Sequence, residues 1–487
     1  MNTYLLSIDQ GTSATKCVLI DDAGRIVAKF SVALTEQLPQ PGWVEQDGEA
    51  IWNSVCAAVH GCLAQCPDDI KIAGVGISTQ RESAILWQRR DGRAISPLLS
   101  WQDQRTALLC EQLSTPAVQS LVRERSGLPL DPMFSALKIS WLLDQLDPQR
   151  AQARSGAWCA GTVDAYLLSR LGGDFVSEIG NASRTQLLTI HTGNWDDDLL
   201  ALFNVPRALL PSVVPSVSHF AVADRLHSRL RGVPVLAIMA DSHAALFAHG
   251  AFTPGQIKAT LGTGSSVMAL SAPGTLPHPG LCQTIAWDVG QGAALALEGN
   301  IRAAGATLRW LADLFSLPVE AAAELATASQ SSGVFIVPGF NGLGAPWWDS
   351  KAVGLICGLS LSSDKAALLA AGLESIAHQV ADVIEAMDER IPSIQKLYLD
   401  GGPSRNRRLL ETLSAYIKRP VVQCADAELS ALGVAHLAGL QAQIWDWSQL
   451  KGLLRAQQEV RASATSKPSA TCREQWALAV KRARLVK

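Results

Sequence analysis

The chain has 487 residues, enough for two domains of ordinary size with a large buried core. Hydrophobic residues make up 48 % and charged residues only 17 %, a balance that excludes intrinsic disorder, and a formal net charge of −3 removes the electrostatic case for nucleic acid as a partner. No stretch approaches the roughly 18 consecutive apolar residues of a membrane span, and the opening Met-Asn-Thr-Tyr-Leu-Leu-Ser-Ile-Asp lacks the basic start of a signal peptide. The ten cysteines are scattered, and Cys62 and Cys66 have no second pair nearby. They read as reduced thiols of a cytoplasmic protein rather than as zinc ligands.

The first thirty residues predict a meander. Tyr4–Ile8 and Cys17–Ile20 are strands joined by a turn at Gly11–Ser13, and after Asp21-Asp22-Ala23-Gly24 the chain extends again over Ile26–Val32. Helical apolar spacing follows at Ala50–Cys66, then a strand at Ile72–Ile77 and a helix at Ser135–Leu146. Val233–Ala240 is a nearly continuous apolar run, a buried strand that delivers Asp241-Ser242-His243 to its end, with a helix beginning near Ala244. Gln256–Leu261 and Ser266–Leu270 bracket a second turn at Gly262-Thr263-Gly264-Ser265, and Thr284–Asp288 and Ala293–Leu297 bracket another at Gly290-Gln291-Gly292. Helices are expected at Arg302–Phe315, Ala366–Met387 and Leu409–Ile417, a strand at Leu397–Asp400, and a surface loop at Ser463–Ala470. Alternating strands and helices give an α/β class. The two Gly-Thr turns lie about half the chain apart, which reads either as chance or as two similarly built domains, 1–249 and 250–487, divided in the stretch His249–Gly255.

Some of these segments end in residues that carry chemistry. In Asp9-Gln10-Gly11-Thr12-Ser13 a tight glycine turn exposes backbone N–H groups beside two hydroxyls, a concavity that can hold phosphate; it is also an ordinary hairpin turn. Asp9 could hold Mg²⁺ through water. Leu261-Gly262-Thr263-Gly264-Ser265-Ser266 offers the same chemistry from the other half, and neither turn matches the Gly-x-x-x-x-Gly-Lys-Ser/Thr phosphate loop. Asp241, at the carboxyl end of a strand, can take a proton from a hydroxyl, or cap the helix that follows. Arg81 and Glu82 can donate to and accept from the hydroxyls of a polyol, or form a surface ion pair. Gly401-Gly402 with Asn406 permits close approach of a flat ring, or is a simple strand-to-helix turn.

In order and spacing these motifs resemble the FGGY carbohydrate kinase family, closest to its glycerol kinases, from the first strand to about Gly439. Pro41-Gly42-Trp43-Val44-Glu45-Gln46-Asp47 is similar to the family's early loop. Met133–Trp141 fits its first signature, and Gly342–Asp349 with Gly354 and Gly358 its second. Asn181-Ala182-Ser183-Arg184-Thr185 and Asn194-Trp195-Asp196 resemble further glycerol-kinase segments. The resemblance implies two actin-like (ribonuclease-H-like) domains flanking a cleft and MgATP-dependent phosphorylation of a small polyol or sugar. It implies Asp9, Thr12, Ser13 and Lys16 at the Mg-phosphate end, Gly262 and Thr263 on phosphates, and Gly401, Gly402 and Asn406 at the adenosine. Asp241 would be the general base. Arg81, Glu82 and Asp241 would bind the acceptor's hydroxyls, and Trp101 would pack on its carbon chain. Oligomeric state stays open, with a homodimer as one expectation.

Four departures bear on the acceptor and donor sites. Met133 stands where a Tyr is usual, Ser242 where a Gln is, Ser266 where a Phe is, and Lys16 where an Arg is. The Gly-Gly-Thr-Arg segment tied to feedback control in some relatives is replaced by Arg229-Leu230-Arg231-Gly232-Val233. Smaller Ser242 and Ser266 and the missing phenol at Met133 predict a wider, more polar pocket than glycerol fills, hence a four- or five-carbon polyol or ketose such as erythritol, erythrulose or xylulose; the competing reading is a divergent glycerol kinase in which backbone or loop shifts refill the space. A nucleotide-driven clamp of actin or chaperone type is the rival from another class; it leaves Arg81, Glu82 and Asp241 without a task.

Overall fold

The computed structural model describes residues 3–391, 393–424, 428–453, 457–462 and 471–485. The loop expected at Ser463–Ala470 lies outside them. Two compact units emerge. The first is Met1–Gly250 with Thr284–Leu295 and Glu428–Leu454; the second is Ala251–Gln283, Ala296–Ala427 and Arg455–Lys487.

The first unit is built on a six-stranded sheet of β1 (Thr3–Gln10), β2 (Ala14–Asp21), β3 (Ile26–Ala33), β4 (Lys71–Thr79), β5 (Val217–Val222) and β6 (Pro234–Ala240), in the order β5-β6-β4-β1-β2-β3. β1, β2 and β3 run antiparallel as a meander, while β4 lies parallel to β1 and β6 parallel to β4. Both faces of the central strands are covered, so they read as apolar runs; in β6 every residue after Pro234 is buried. Helix α1 (Gly48–Leu63) is capped by the Asp47 carboxylate on the Glu49 N–H at 2.8 Å. It buries Ile51, Val55, Ala58, Val59 and Cys62, three or four residues apart, in a core with Leu6, Ile8, Leu19, Val75 and Ile77. A second cluster, with Leu86, Leu99, Leu137, Leu142, Leu143 and Phe203, forms around α2 (Ser135–Leu146) and fixes the loop that precedes it.

Helix α3 begins at Asp241 and runs to Ala248, three residues earlier than the sequence pattern suggests. Ala240 is the capping position and offers no side-chain cap, so Asp241 occupies the first helical turn instead of capping it. An acid there is favoured by the helix dipole. The late segment returns to this unit as a helix over Leu429–Gln441, packed on α3, β1 and β4. A Cβ on Gly433 would stand 1.8 Å from the Ala244 carbonyl oxygen, so this crossing needs glycine.

The second unit repeats the plan. The seven-stranded sheet on which it is built contains β7 (Ile257–Leu261), β8 (Ser265–Leu270), β9 (Cys282–Asp288), β10 (Ala293–Ile301), β11 (Leu397–Gly401), β12 (Val421–Cys424) and β13 (Gln457–Val460), in the order β9-β10-β8-β7-β11-β12-β13, with the Thr284–Leu295 stretch of β9 and β10 grouped with the first unit. Again a strand pairs antiparallel with its hairpin partner, β7 with β8, and parallel with a later strand, β11, which is followed by parallel β12. The sheet core, with Ile257, Ala259, Leu397 and Leu399, packs on α4 (Gly305–Leu314), α5 (Val319–Ala328), α6 (Lys365–Asp388) and α7 (Arg407–Ile417). α6 is the one described helix long and apolar enough to cross a membrane, but 83 % of its most apolar window is buried in this core. Two units, each with an antiparallel hairpin extended by parallel strands, form the two-domain actin-like, ribonuclease-H-like fold.

Candidate active site

Arg81 and Asp241 follow directly on neighbouring parallel strands, since Thr79 of β4 is in register with Ala240 of β6. Their side chains meet, Arg81 Nε lying 3.3 Å from Asp241 Oδ1 and 3.9 Å from Glu82 Oε1. Asp241 Oδ1 also accepts the Ser242 N–H at 2.5 Å. The surface ion pair offered as the plainer reading of Arg81 and Glu82 is wrong: they are 7 % and 3 % exposed. Burying two charged side chains is costly unless each is paired. Asp241 remains a third exposed, on the open side of the group.

Trp101 and Thr12 come together, the indole Nε1 donating to Thr12 Oγ1 at 3.0 Å. Trp101 N–H donates to Ser83 Oγ at 3.0 Å, Ser83 Oγ to Gln80 Oε1 at 2.8 Å, and Gln80 Nε2 to Gln46 and Gln10 at 3.0 and 3.2 Å. Gln46 Nε2 completes the circuit on the Thr12 carbonyl at 2.7 Å. The early turn and the loop that carries Gln80 and Ser83 are thus one hydrogen-bonded body.

Asp9 ends β1 beside Ser78, whose hydroxyl donates to Asp9 Oδ1 at 2.7 Å. Burial, with the nearby Asp241 charge adding to it, pushes the Asp9 carboxyl up to about 6 against the Ser78 hydrogen bond and the Lys16 charge. Lys16 does not extend freely from β2. It pairs with Glu428 at 2.8 Å, and although burial opposes its charge, the hydrogen bond and charge of Glu428 with the charge of Asp9 hold its pKa above the ordinary lysine value. Ser13 is exposed at the tip of the turn. Ser242 stands on α3 next to Asp241, and Met133 is half-buried in the loop before α2.

Sequence reasoning passed over the residues that brace this set. Arg184 Nε donates to Glu82 Oε1 at 2.7 Å, and Ser135 Oγ to the Glu82 carbonyl at 2.8 Å. Lys138 is fully buried, donating to the carbonyls of Pro132 and Met133 at 2.5 and 2.6 Å. Burial lowers its pKa to about 8, though the charges of Asp103, Asp131 and Glu82 resist. One sequence signal exists for both: a cation inside an otherwise apolar or small-residue segment, Arg184 in Asn181–Thr185 and Lys138 in Phe134–Trp141.

In the second unit a cavity of about 950 Å³ is lined by Gly262, Thr263, Gly402 and Asn406, with Leu308 and Ile376 among its apolar walls. That size suits a nucleotide. The turn that carries Thr263 is fixed by its carbonyls, which accept the N–H groups of Ala304 at 2.8 Å and Gly305 at 2.9 Å at the start of α4. Gly401 is not part of the lining. It has φ +91° and backs onto β7, where a Cβ would lie 2.0 Å from the Leu261 carbonyl oxygen, whereas a Cβ on Gly402 would meet nothing within 4 Å. Asn406 lines the cavity while its side chain caps α7 through the Leu409 N–H at 3.1 Å and donates to Thr327 at 2.6 Å. Ser266 belongs to this unit too, and its hydroxyl is committed to Glu298 Oε1 at 2.7 Å, an atom that also accepts from Asn300 at 3.1 Å.

Among the described residues no three His, Cys, Asp or Glu side chains cluster as a metal site. The donor set at Asp9 nonetheless suits Mg²⁺, which takes one or two carboxylates and otherwise water and phosphate oxygens. The charge of Asp241, which helps to raise the Asp9 carboxyl, is a repulsion that a divalent cation relieves.

Comparison with known proteins shows the family. Models of the N-terminal and C-terminal domains of the FGGY family of carbohydrate kinases match residues 4–248 and 257–442. An apulose kinase of Pectobacterium atrosepticum is 42 % identical over 490 residues, covering 99 % of this chain and 98 % of that protein. A glycerol kinase of a Geobacter species is 40 % identical, with 92 % of each chain covered. Among solved structures, Plasmodium falciparum glycerol kinase with ADP superposes with a TM-score of 0.89 at 27 % identity, covering 100 % of this chain and 99 % of that one. The chain is accordingly a phosphotransferase acting on an alcohol group, and it belongs to the FGGY family of carbohydrate kinases.

Proposed function

We propose that this kinase transfers the γ-phosphoryl group of ATP, with Mg²⁺, to a hydroxyl of a four- or five-carbon ketose or polyol in preference to glycerol. The observation that carries the reading is the Arg81–Asp241–Glu82 group, two carboxylates near one guanidinium, with Arg81 and Glu82 buried and Asp241 a third exposed. Polyol recognition needs donors and acceptors in one place, and this group supplies both. Asp241 accepts the proton of the attacking hydroxyl. Arg81 keeps Asp241 oriented and donates to the acceptor's oxygens, while Glu82 accepts from its hydroxyls. Trp101, fixed by Thr12 and Ser83, gives the carbon chain an apolar wall.

Phosphoryl transfer passes through a loose transition state, so positioning and neutralisation of charge supply most of the rate. The second unit's cavity holds the nucleotide, with Gly262 and Thr263 at its phosphates and Gly402 and Asn406 near its base. Asp9 would hold Mg²⁺ through water, and the ion supplies positive charge to the phosphate oxygens when bound. Ser13, at the tip of its turn, adds a hydroxyl to the same end. Described cysteines are all free and buried or half-buried, which fits work in the reducing cytoplasm.

The longer acceptor is favoured by Met133, Ser242 and Ser266, each smaller or less polar than the residue usual in glycerol kinases, and by the likeness to a relative named for apulose. Release of ADP measured by a coupled assay with glycerol, erythritol, erythrulose, xylulose and apulose tests the reading. Turnover should depend on the acceptor and be highest with one of the longer compounds. ADP release at one rate whatever polyol is present would instead mark a clamp ATPase.

A further inference from the structure

We infer that Arg184 is a positioning residue for the acceptor site: it holds the Glu82 carboxylate away from Arg81, so that Arg81 stays with Asp241. The inference rests on the proposed role of Glu82 as an acceptor ligand. Glu82 has φ +59°, a left-handed conformation that few residues other than glycine adopt without support. Three contacts hold it there. The Ser83 N–H closes a tight turn on the Arg81 carbonyl at 2.6 Å, Ser135 Oγ donates to the Glu82 carbonyl at 2.8 Å, and Arg184 Nε donates to Oε1 at 2.7 Å.

That same Oε1 is 3.9 Å from Arg81 Nε, whereas Asp241 Oδ1 is 3.3 Å from it. Arg81 therefore has two carboxylates in reach and sits nearer to Asp241. Arg184 is what tips the choice: its side chain is fully buried, with the Phe134 ring 5.3 Å from the guanidinium carbon, and it meets Glu82 at full hydrogen-bond distance. Its own backbone is anchored, Arg184 N–H on the Asn181 carbonyl at 3.0 Å and Ala136 N–H on the Thr185 carbonyl at 2.9 Å. Without Arg184, Arg81 is the guanidinium that the described residues place beside the buried Glu82 carboxylate, and it is the one paired with Asp241. Both acceptor binding and the proton-accepting step should then suffer, while the nucleotide cavity, built from another unit, should not.

The test is steady-state kinetics on Glu82→Gln, Arg184→Lys, Arg184→Met and the double variant Glu82→Gln with Arg184→Met, each with its thermal midpoint. Arg184→Lys keeps the charge and loses the fork, so it separates geometry from a lost buried cation. It should stay folded, raise the acceptor KM by about 10- to 100-fold, lower kcat, and leave the ATP KM within about twofold of wild type. In the double variant, removing Arg184 should add less than about threefold to the effect of Glu82→Gln alone, because the competing carboxylate is already neutral. This variant also removes both charges together, so it remains informative where Arg184→Met alone fails to fold. An unchanged acceptor KM in Arg184→Lys alongside a raised one in Glu82→Gln overturns the positioning role, as do fully additive effects. An unchanged acceptor KM in Glu82→Gln overturns the reading of Glu82 as an acceptor ligand, and the role of Arg184 with it.

Discussion

Arg81 and Asp241 stand at the carboxyl ends of two parallel strands whose last residues, Thr79 and Ala240, are in register, and their side chains meet at 3.3 Å. A short hydrogen-bonding distance between side chains from segments so far apart in the chain is a product of the sheet. It places a cation and a carboxylate on the same edge, where α/β folds collect their chemistry. Asp241→Asn keeps the shape of this group and removes the proton acceptor. Turnover should fall by ~10²–10⁴, the usual share of acid–base catalysis, with ATP affinity little changed. A variant within a few-fold of wild type in kcat would mean that another group takes the proton.

Next to the cavity proposed for the nucleotide, a pair of glycines separates folding from binding. At Gly401 a Cβ collides with the Leu261 carbonyl and φ is positive, so Gly401→Ala should lower the thermal midpoint as well as weaken nucleotide binding. At Gly402 there is open space, so Gly402→Ala should leave the midpoint unchanged and raise the ATP KM only by crowding the bound nucleotide. Thr263→Ala should weaken the nucleotide by roughly 0.5–3 kcal/mol, the range for a lost hydrogen bond to a neutral or charged group. Calorimetric titration with an ATP analogue reads all three. Unaltered affinity in both Gly402→Ala and Thr263→Ala would remove this cavity as the nucleotide site.

Lys138 gives a pH signature. Its pKa is about 8 in the folded protein, against about 10.4 in a free chain. Between those values the unfolded chain holds a proton that the folded one has released, so stability contributed by this residue rises with pH from about 8 to about 10.5 and is level below 8. Deprotonated lysine retains two N–H groups, enough for the Pro132 and Met133 carbonyls. Denaturant unfolding of wild type and Lys138→Met at pH 8 and pH 10 should therefore show the wild type gaining on the variant by on the order of 2 kcal/mol at the higher pH. A difference that does not vary with pH would show that Lys138 titrates like an exposed lysine.

Much of the architecture could be read in advance because it is local. The meander over the first three strands, the repeated Gly-Thr turn and the buried run ending at Asp241 each follow from apolar periodicity and glycine placement within a few residues. What could not be read was long-range. Nothing within ten residues of Glu82 announces Arg184, and nothing near Lys16 announces Glu428, whose helix folds back onto the first unit. Helix α3 starting at Asp241 was missed for a different reason: the capping position is alanine, so the customary polar start signal is absent and the strand runs directly into the helix.

Ser266 is where the acceptor argument meets the structure most directly. The residue usual at this position in glycerol kinases is a large apolar ring, and here a serine hydroxyl donates to Glu298, which is itself buried and also accepts from Asn300. Part of the room left by the missing ring is therefore organised as a polar pair rather than left open. A buried carboxylate that loses a donor costs about 1–3 kcal/mol, so Ser266→Phe alone should lower stability measurably as well as fill space. Ser266→Phe combined with Glu298→Gln should recover part of that loss, because the neutral amide no longer needs as many donors. If the smaller residues set acceptor length, Ser266→Phe with Ser242→Gln, measured in the stabilised background, should move kcat/KM toward glycerol and away from the longer acceptors. The shift is expected to be modest, about 10- to 200-fold, since a methylene-sized contact discriminates by only 1–3 kcal/mol. Wild-type kcat/KM for glycerol, erythritol, erythrulose and xylulose sets the baseline. A wild type that prefers glycerol among the four would mean that the small side chains of Ser242 and Ser266 do not select the acceptor.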